Sequence, residues 1–328
     1  MILEVLLGHL STVVAAVDSD FRLRHPDYHK SRREGLVTLV GLMLEARSAN
    51  LMELAAVLPR EIATADDRYQ YIERQLKNDK IDAAATIEPY ALEVIGRLAA
   101  RGETVILQFD QSHINDINQV LMLSVRLRKR ALPVAWCVRA TQGNIGFEVQ
   151  QGLLTRVRSW LTAGTQVLLA ADRFYGTAQL IGWCQRAGWS YRIRLKGNLT
   201  LRHAGGEIST GEVLSLMPQG VIGAELTASA ISTNIGVLHE AGHKEPWIIA
   251  MDAKPSRYTV LDYGMRWGIE SMFSDFKSRG FGLAQSHIQK PERLERLILI
   301  MSIALYWAVS CGAFAEQNAA AGGRKGGP

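Results

Sequence analysis

Apolar residues recur at helical spacing through the first hundred positions and at strand spacing after them. Segments 34–46, 50–58, 67–78 and 86–100 carry apolar residues three and four apart with few β-branched runs, so each predicts a helix. Asp66 and Asp67 are suited to the first turn of the third of these. Past Gly102 the texture changes. Residues 104–109 (TVILQF) read as a strand ending at Asp110, 120–125 as a second strand, and 133–139 as a third, which together suggest an antiparallel meander. A helix near 148–162 follows. The near-continuous apolar run 165–171 (TQVLLAA) then predicts a buried strand ending at Asp172. Helix 174–187 and strand 191–196 complete a β-β-β-α-β-α-β order, which resembles a ribonuclease H-like α/β core.

Residues 197–253 alternate short β-prone pieces with Gly, Ser, Thr and Asn, the pattern of a β-strand-rich insertion. The stretch 263–277 (YGMRWGIESMFSDFK) has helical spacing. At roughly 100° per residue, Tyr263, Arg266, Glu270 and Lys277 fall near 0°, 300°, 340° and 320° of a helical wheel, one narrow polar stripe. Met265, Ile269, Met272, Phe273 and Phe276 form the apolar arc beside it. Read alone, the stripe is a solvated face with an ordinary Arg266–Glu270 pair. Gly280 and Gly282 stop this helix and another spans 291–312. The expected layout is a helical N-terminal region (1–101) with a possible DNA-binding role and a core in two parts (102–196 and 254–315). The insertion (197–253) separates those parts, and a disordered tail (316–328) ends the chain.

The 328 residues suffice for two or three domains, and 48% hydrophobic with 21% charged residues is globular composition. The net charge of +5 is unevenly spread. Residues 1–100 hold 12 Lys/Arg against 15 Asp/Glu, while the remainder holds 25 against 17, so the basic surplus lies with the polar stripe and suits a polyanion. Three scattered cysteines without a CxxC pattern predict reduced, buried thiols in a cytoplasmic protein. The N-terminus has no basic region of a signal peptide. Leu297–Ala315 is uncharged and nearly long enough to cross a membrane, but with Ser302, Ser310 and Gly312 it reads as a buried core helix, so no membrane partner is expected.

Asp110 and Asp172 each close a predicted buried strand, where carboxylates can converge at one mouth of a sheet; taken singly, each is also an ordinary turn former. Glu270 would be a third. Hard divalent cations prefer such oxygens, and two of them can activate a hydroxyl and stabilise a departing phosphodiester oxygen. With FDQSHIND around Asp110, ADRFYG around Asp172, and the Tyr-Arg-Glu-Lys spacing of 263–277, the chain resembles the DDE transposases of bacterial insertion sequences, specifically the insertion-sequence-four family.

The resemblance implies a ribonuclease H-like core with a β insertion. It makes Asp110, Asp172 and Glu270 a catalytic triad holding Mg²⁺, with Mn²⁺ able to substitute. Tyr263, Arg266 and Lys277 would hold DNA phosphates, as would Arg194 and Lys196 of the RLK string and Arg173 beside Asp172. Trp247 matches a tryptophan that stacks on a base flipped out of the DNA end in a relative; packing in a small β layer is the competing account. Double-stranded DNA, as transposon ends and target, and a homodimer on paired ends are the implied partners. An Arg266–Glu270 ion pair would be a resting state of such a site. A nuclease without strand transfer and an inactive DNA-binding descendant share these residues. A zinc-protease reading rests on His239, Glu240 and His243, an H-E-x-x-H string, but Gly236, Gly242 and Pro246 bracket it too closely for the helix that chemistry needs.

Overall fold

The computed structural model describes residues 2–58, 64–226, 230–240, 242 and 244–322. Five helices come first: α1 (Ile2–Arg24), α2 (Lys30–Ala46), α3 (Leu51–Ala56), α4 (Ala65–Lys77) and α5 (Ala83–Ala100). Each expected N-terminal helix is present, and α1 is an additional one. Thr64 caps α4 by accepting the backbone N–H of Asp67, which leaves Asp66 and Asp67 in the first turn, where the helix dipole favours acids.

The strands and helices that follow keep the expected order. They are β1 (Val105–His113), β2 (Asn118–Leu127), β3 (Arg130–Ala140), α6 (Phe147–Ser159), β4 (Val167–Ala171), α7 (Ala178–Ala187) and β5 (Ser190–Arg194). Then come β6 (Thr200–His203), β7 (Gly206–Ser209), α8 (Val213–Leu216), β8 (Val221–Leu226), β9 (Ile231–Leu238), β10 (Trp247–Met251) and α9 (Arg257–Leu261). Among the described residues ten strands form one mixed sheet in the order β3-β2-β1-β4-β5-β10-β9-β8-β6-β7. This mixed α/β architecture is consistent with a ribonuclease H-like core. β4 lies parallel to both β1 and β5. It is buried along its whole length, as its unbroken apolar run required. β10 pairs antiparallel with β5, so the strands after residue 197 extend the core sheet.

The stretch expected as one helix is three. A 3₁₀ segment (Asp262–Trp267) leads into α10 (Gly268–Ser274), which passes into a π turn (Asp275–Arg279). A 3₁₀ turn holds three residues, so side chains at i and i+3 eclipse, and Tyr263 stands directly under Arg266. Both are buried, at 1% and 5% exposure, where the wheel had placed them on a polar edge. The expected apolar arc is buried at Ile269, Met272, Phe273 and Phe276.

The chain divides into two compact units, with the divisions falling inside α5, at the end of β1, inside β2 and inside α10. The first holds Met1–Ala91, Ile114–Asn118 and Phe273–Pro328, the second Leu92–His113 and Gln119–Met272. In the first unit, α11 (Pro291–Gly322) buries Leu294, Leu297, Ile298, Met301 and Ile303 and packs on α2 and α4. Arg293 pairs with Glu73 at 3.2 Å, and Arg296 donates to the carbonyls of Leu76 and Ile81. The Pro291–Glu316 portion is long and apolar enough to cross a membrane, but half of its most apolar window is buried against protein, the behaviour of a core helix. Helix α11 also runs into the expected disordered tail as far as Gly322; residues 323–328 lie outside the described residues. Cys137 and Cys184 are buried as expected, whereas Cys311 is exposed.

Candidate active site

Two parallel strands bring the first two carboxylates side by side. In the β1/β4 register Phe109 is the partner of Ala171, so Asp110 and Asp172 are the next residues at the same sheet edge. β1 continues past this point while β4 ends, and the chain after Asp172 turns through a short 3₁₀ segment (Arg173–Tyr175). The 3₁₀ segment Asp262–Trp267 packs across β1, β4 and β5 and delivers the remaining groups. Its start is tied down by Arg192, which pairs with Asp252 at 2.8 Å and Asp262 at 3.3 Å.

A single network joins all three candidate acids. Arg266 Nη1 donates to Asp110 Oδ2 at 2.7 Å, and Nη2 donates to the Glu270 carboxylate. Its Nε donates to the Tyr263 hydroxyl at 3.1 Å, and that hydroxyl donates to Asp172 Oδ1 at 3.2 Å. Asp110 Oδ1 accepts the Gln111 N–H at 2.9 Å. Burial pushes the Asp110 carboxyl up to about 6; Arg266 opposes that rise, and the charges of Asp172 and Glu270 add to it. The Tyr263 phenol is also pushed up, chiefly by burial. Burial works against the Arg266 charge, yet Tyr263, Asp110, Glu270 and Asp172 hold its pKa above the ordinary arginine value. Arg266 is thus locked as a cation among three acids.

That arrangement bears on metal binding. Among the described residues no three His, Cys, Asp or Glu side chains stand at metal-holding spacing. Asp110 and Glu270 meet the Arg266 guanidinium instead, with Asp172 linked to it through the Tyr263 hydroxyl, and positive charge is what stabilises the cluster. The oxygen-only donor set of Asp110, Asp172 and Glu270 suits a hard cation such as Mg²⁺. His239 and Glu240 lie in the loop between β9 and β10, outside any helix; Glu240 pairs with Arg257 at 2.9 Å, and His243 lies outside the described residues.

The sequence did not single out Gln108, which is fully buried and two residues before Asp110 on the same face of β1. Its Nε2 donates to the carbonyls of Met265 at 2.6 Å and Arg266 at 3.3 Å, while its Oε1 accepts from Ser124 Oγ at 3.1 Å. A Cβ on Gly268 would come 2.7 Å from that Nε2, so glycine lets the segment approach the strand. Gln108 is a positioning residue: it fixes the height of Arg266 above Asp110. Replacing it with Leu leaves buried carbonyls and the Ser124 hydroxyl without their partner. The expected cost is about 1–3 kcal/mol of stability, measured by urea unfolding.

The other expected site residues separate into groups. Arg173 and Arg194 both reach Glu245, at 2.9 and 3.3 Å, and Lys196 lies 5.7 Å from the centre of the Phe174 ring. Lys277 lies on the π turn Asp275–Arg279, in the first unit. Trp247 is buried, its ring edge-on to Tyr263 (5.3 Å) and to Trp267 (5.5 Å). This is the packing account and offers no open face for a base; Trp267, 45% exposed, is the tryptophan in contact with solvent. The signal that could have found Trp267 was its position between Arg266 and Glu270.

Residues 146–307 match the family model described as the transposase DDE domain. The match spans Asp172, Tyr263, Arg266, Glu270 and Lys277 and begins after Asp110, which the β1/β4 register sets beside Asp172 and which pairs with Arg266. No curated protein matches the sequence. Match and fold together support a DDE transposase, an enzyme that acts on DNA.

Proposed function

We propose that this chain is a transposase of the insertion-sequence-four type that cleaves the ends of its DNA element and joins them to target DNA. The observation that carries this reading is that one buried arginine, Arg266, binds Asp110 and Glu270 directly and Asp172 through the Tyr263 hydroxyl, so acids from three parts of the chain share one network. A structural ion pair needs one acid; three acids around one cation make a strong sink for positive charge. Mg²⁺ or Mn²⁺ held by these carboxylates would supply Lewis-acid stabilisation of the departing oxygen and an activated hydroxyl nucleophile.

The chain's own residues bind and orient the substrate. Arg173, Arg194 and Lys196 offer charge to the DNA backbone, and Lys277 adds to it from the helix end. Tyr263 and Arg266 hold the acids in place, so their first role is to orient the carboxylates, with phosphate contact following when DNA displaces the Arg266–Glu270 pair. The exposed Trp267 ring can stack on a base at the DNA end. The partner is double-stranded DNA, and a homodimer on paired ends would cut and join both ends together.

The test supplies the protein with its flanking DNA ends and Mg²⁺, then with ends already cut. End cleavage followed by joining of pre-cut ends to a target plasmid is the expected result. Cleavage without joining would make it a nuclease, and DNA binding with neither activity would make it a non-catalytic descendant.

A further inference from the structure

Arg192 is a buried cation in the middle of β5, between the buried side chains of Tyr191 and Ile193. Burying a guanidinium costs more than one ion pair returns unless its donors are engaged in good geometry. Here every nitrogen is engaged. Nε donates to the Thr259 carbonyl at 2.8 Å and Nη2 to Asp262 Oδ2 at 3.3 Å. Nη1 donates to the Tyr191 carbonyl at 2.7 Å and to Asp252 Oδ1 at 2.8 Å. These partners belong to different elements. Asp252 follows β10, the last strand of the 197–253 insertion, whose Met251 is the register partner of Arg192. Asp252 is itself held, by Ser190 Oγ at 2.8 Å and the Tyr191 N–H at 3.2 Å. Thr259 lies in the last turn of α9. Asp262 opens the 3₁₀ segment, and the next residue is Tyr263, whose hydroxyl links Asp172 to Arg266.

We propose that Arg192 is a positioning residue that couples the end of the insertion to the segment carrying Tyr263 and Arg266. Its planar fork spans from Asp252, fixed on the sheet, to Asp262, and so sets the point from which that segment starts across β1, β4 and β5. Apolar packing beneath the segment, through Trp247, Val260 and Tyr263, holds it down but slides more easily than a forked ion pair. A lysine at 192 would keep the charge without the fork. The consequence for cleavage rests on the transposase reading; the coupling itself does not.

Asp252→Ala and Asp262→Ala each leave Arg192 one carboxylate, so neither strands a buried charge. Glu240→Ala is the control: it removes an ion pair from Arg257, at the start of α9, without touching Arg192. Hydrogen–deuterium exchange without DNA is the first measurement. Both aspartate variants are expected to speed exchange of the 262–267 amides about ten-fold, with β1 and β4 unchanged. Arg192→Lys should match them, and Glu240→Ala should match the unaltered protein. End cleavage in Mg²⁺ is the second measurement. The aspartate variants are expected to lose about ten-fold or more at saturating DNA, with DNA affinity within about two-fold, because a displaced segment misplaces the acids without removing them. Exchange of 262–267 that is unchanged in either aspartate variant, or that rises equally in Glu240→Ala or throughout the sheet, overturns the proposal. So does a loss of cleavage that comes only from weaker DNA binding. If the unaltered protein cleaves no DNA, the transposase reading falls, and exchange alone still decides whether Arg192 positions the segment.

Discussion

Glu270→Gln is expected to lower Mg²⁺-dependent end cleavage by about a thousandfold or more while DNA affinity stays within about two-fold. A metal acting as a Lewis acid supplies several kcal/mol to the transition state, and each 1.36 kcal/mol is a factor of ten. The amide keeps the shape of the carboxylate and loses only its charge and one of its two oxygens, which an NH2 group replaces. Folding should hardly change, because the Glu270 side chain is 54% exposed and its partner Arg266 keeps Asp110. Asp110→Asn would be a less clean test. Asp110 is largely shielded, its side chain 15% exposed, with its pKa raised to about 6, so neutralising it alters stability as well as chemistry. Cleavage assays in Mg²⁺ and Mn²⁺ alongside filter binding make the measurement. Cleavage retained by the variant would remove Glu270 from the triad.

Arg266→Ala is expected to cost about 3–5 kcal/mol of stability in metal-free buffer and to abolish cleavage. Taking one partner from a buried ion pair strands the other, and here two acids and a phenol lose their common cation. Lysine is expected to recover only part of the loss, since one ammonium cannot reach Tyr263, Asp110 and Glu270 with the geometry of a planar fork. Divalent cations provide the discriminating readout. If the carboxylates form a metal site, adding Mg²⁺ or Mn²⁺ should raise the melting temperature of Arg266→Ala more than that of the unaltered protein. With the guanidinium gone, a metal is the remaining source of positive charge. An equal rise in both proteins, measured by scanning calorimetry, would mean that Arg266 is only a structural pair and that the acids do not gather a metal.

Asp110, Asp172 and the Tyr263–Lys277 spacing were legible because their signals are local. A strand that ends in Asp after an unbroken apolar run, and polar residues three, seven and fourteen positions apart, need no knowledge of the fold. The β-β-β-α-β-α-β order was legible for the same reason, since period two and period 3.6 are properties of short windows. Within 263–277, however, one uniform helical period was the wrong ruler. The 3₁₀ start and π end re-aim the side chains, and these departures come from packing the segment across β1, β4 and β5, which the wheel does not contain.

The sequence by itself determined which residues are candidates for the chemistry and near which elements they sit, because residue type and periodicity are written along the chain. Only the tertiary structure decided how they meet. The Arg266–Asp110 contact crosses 156 positions and depends on the parallel β1/β4 register, and Gln108 sets the height of that contact from a site with no motif of its own. Burial was likewise decided in three dimensions. Trp247 is covered by Tyr263 and Trp267, and Arg266, read as an exposed charge, is buried against the two acids and the phenol it holds. Burial depends on what arrives from distant parts of the chain, and local spacing does not record those arrivals.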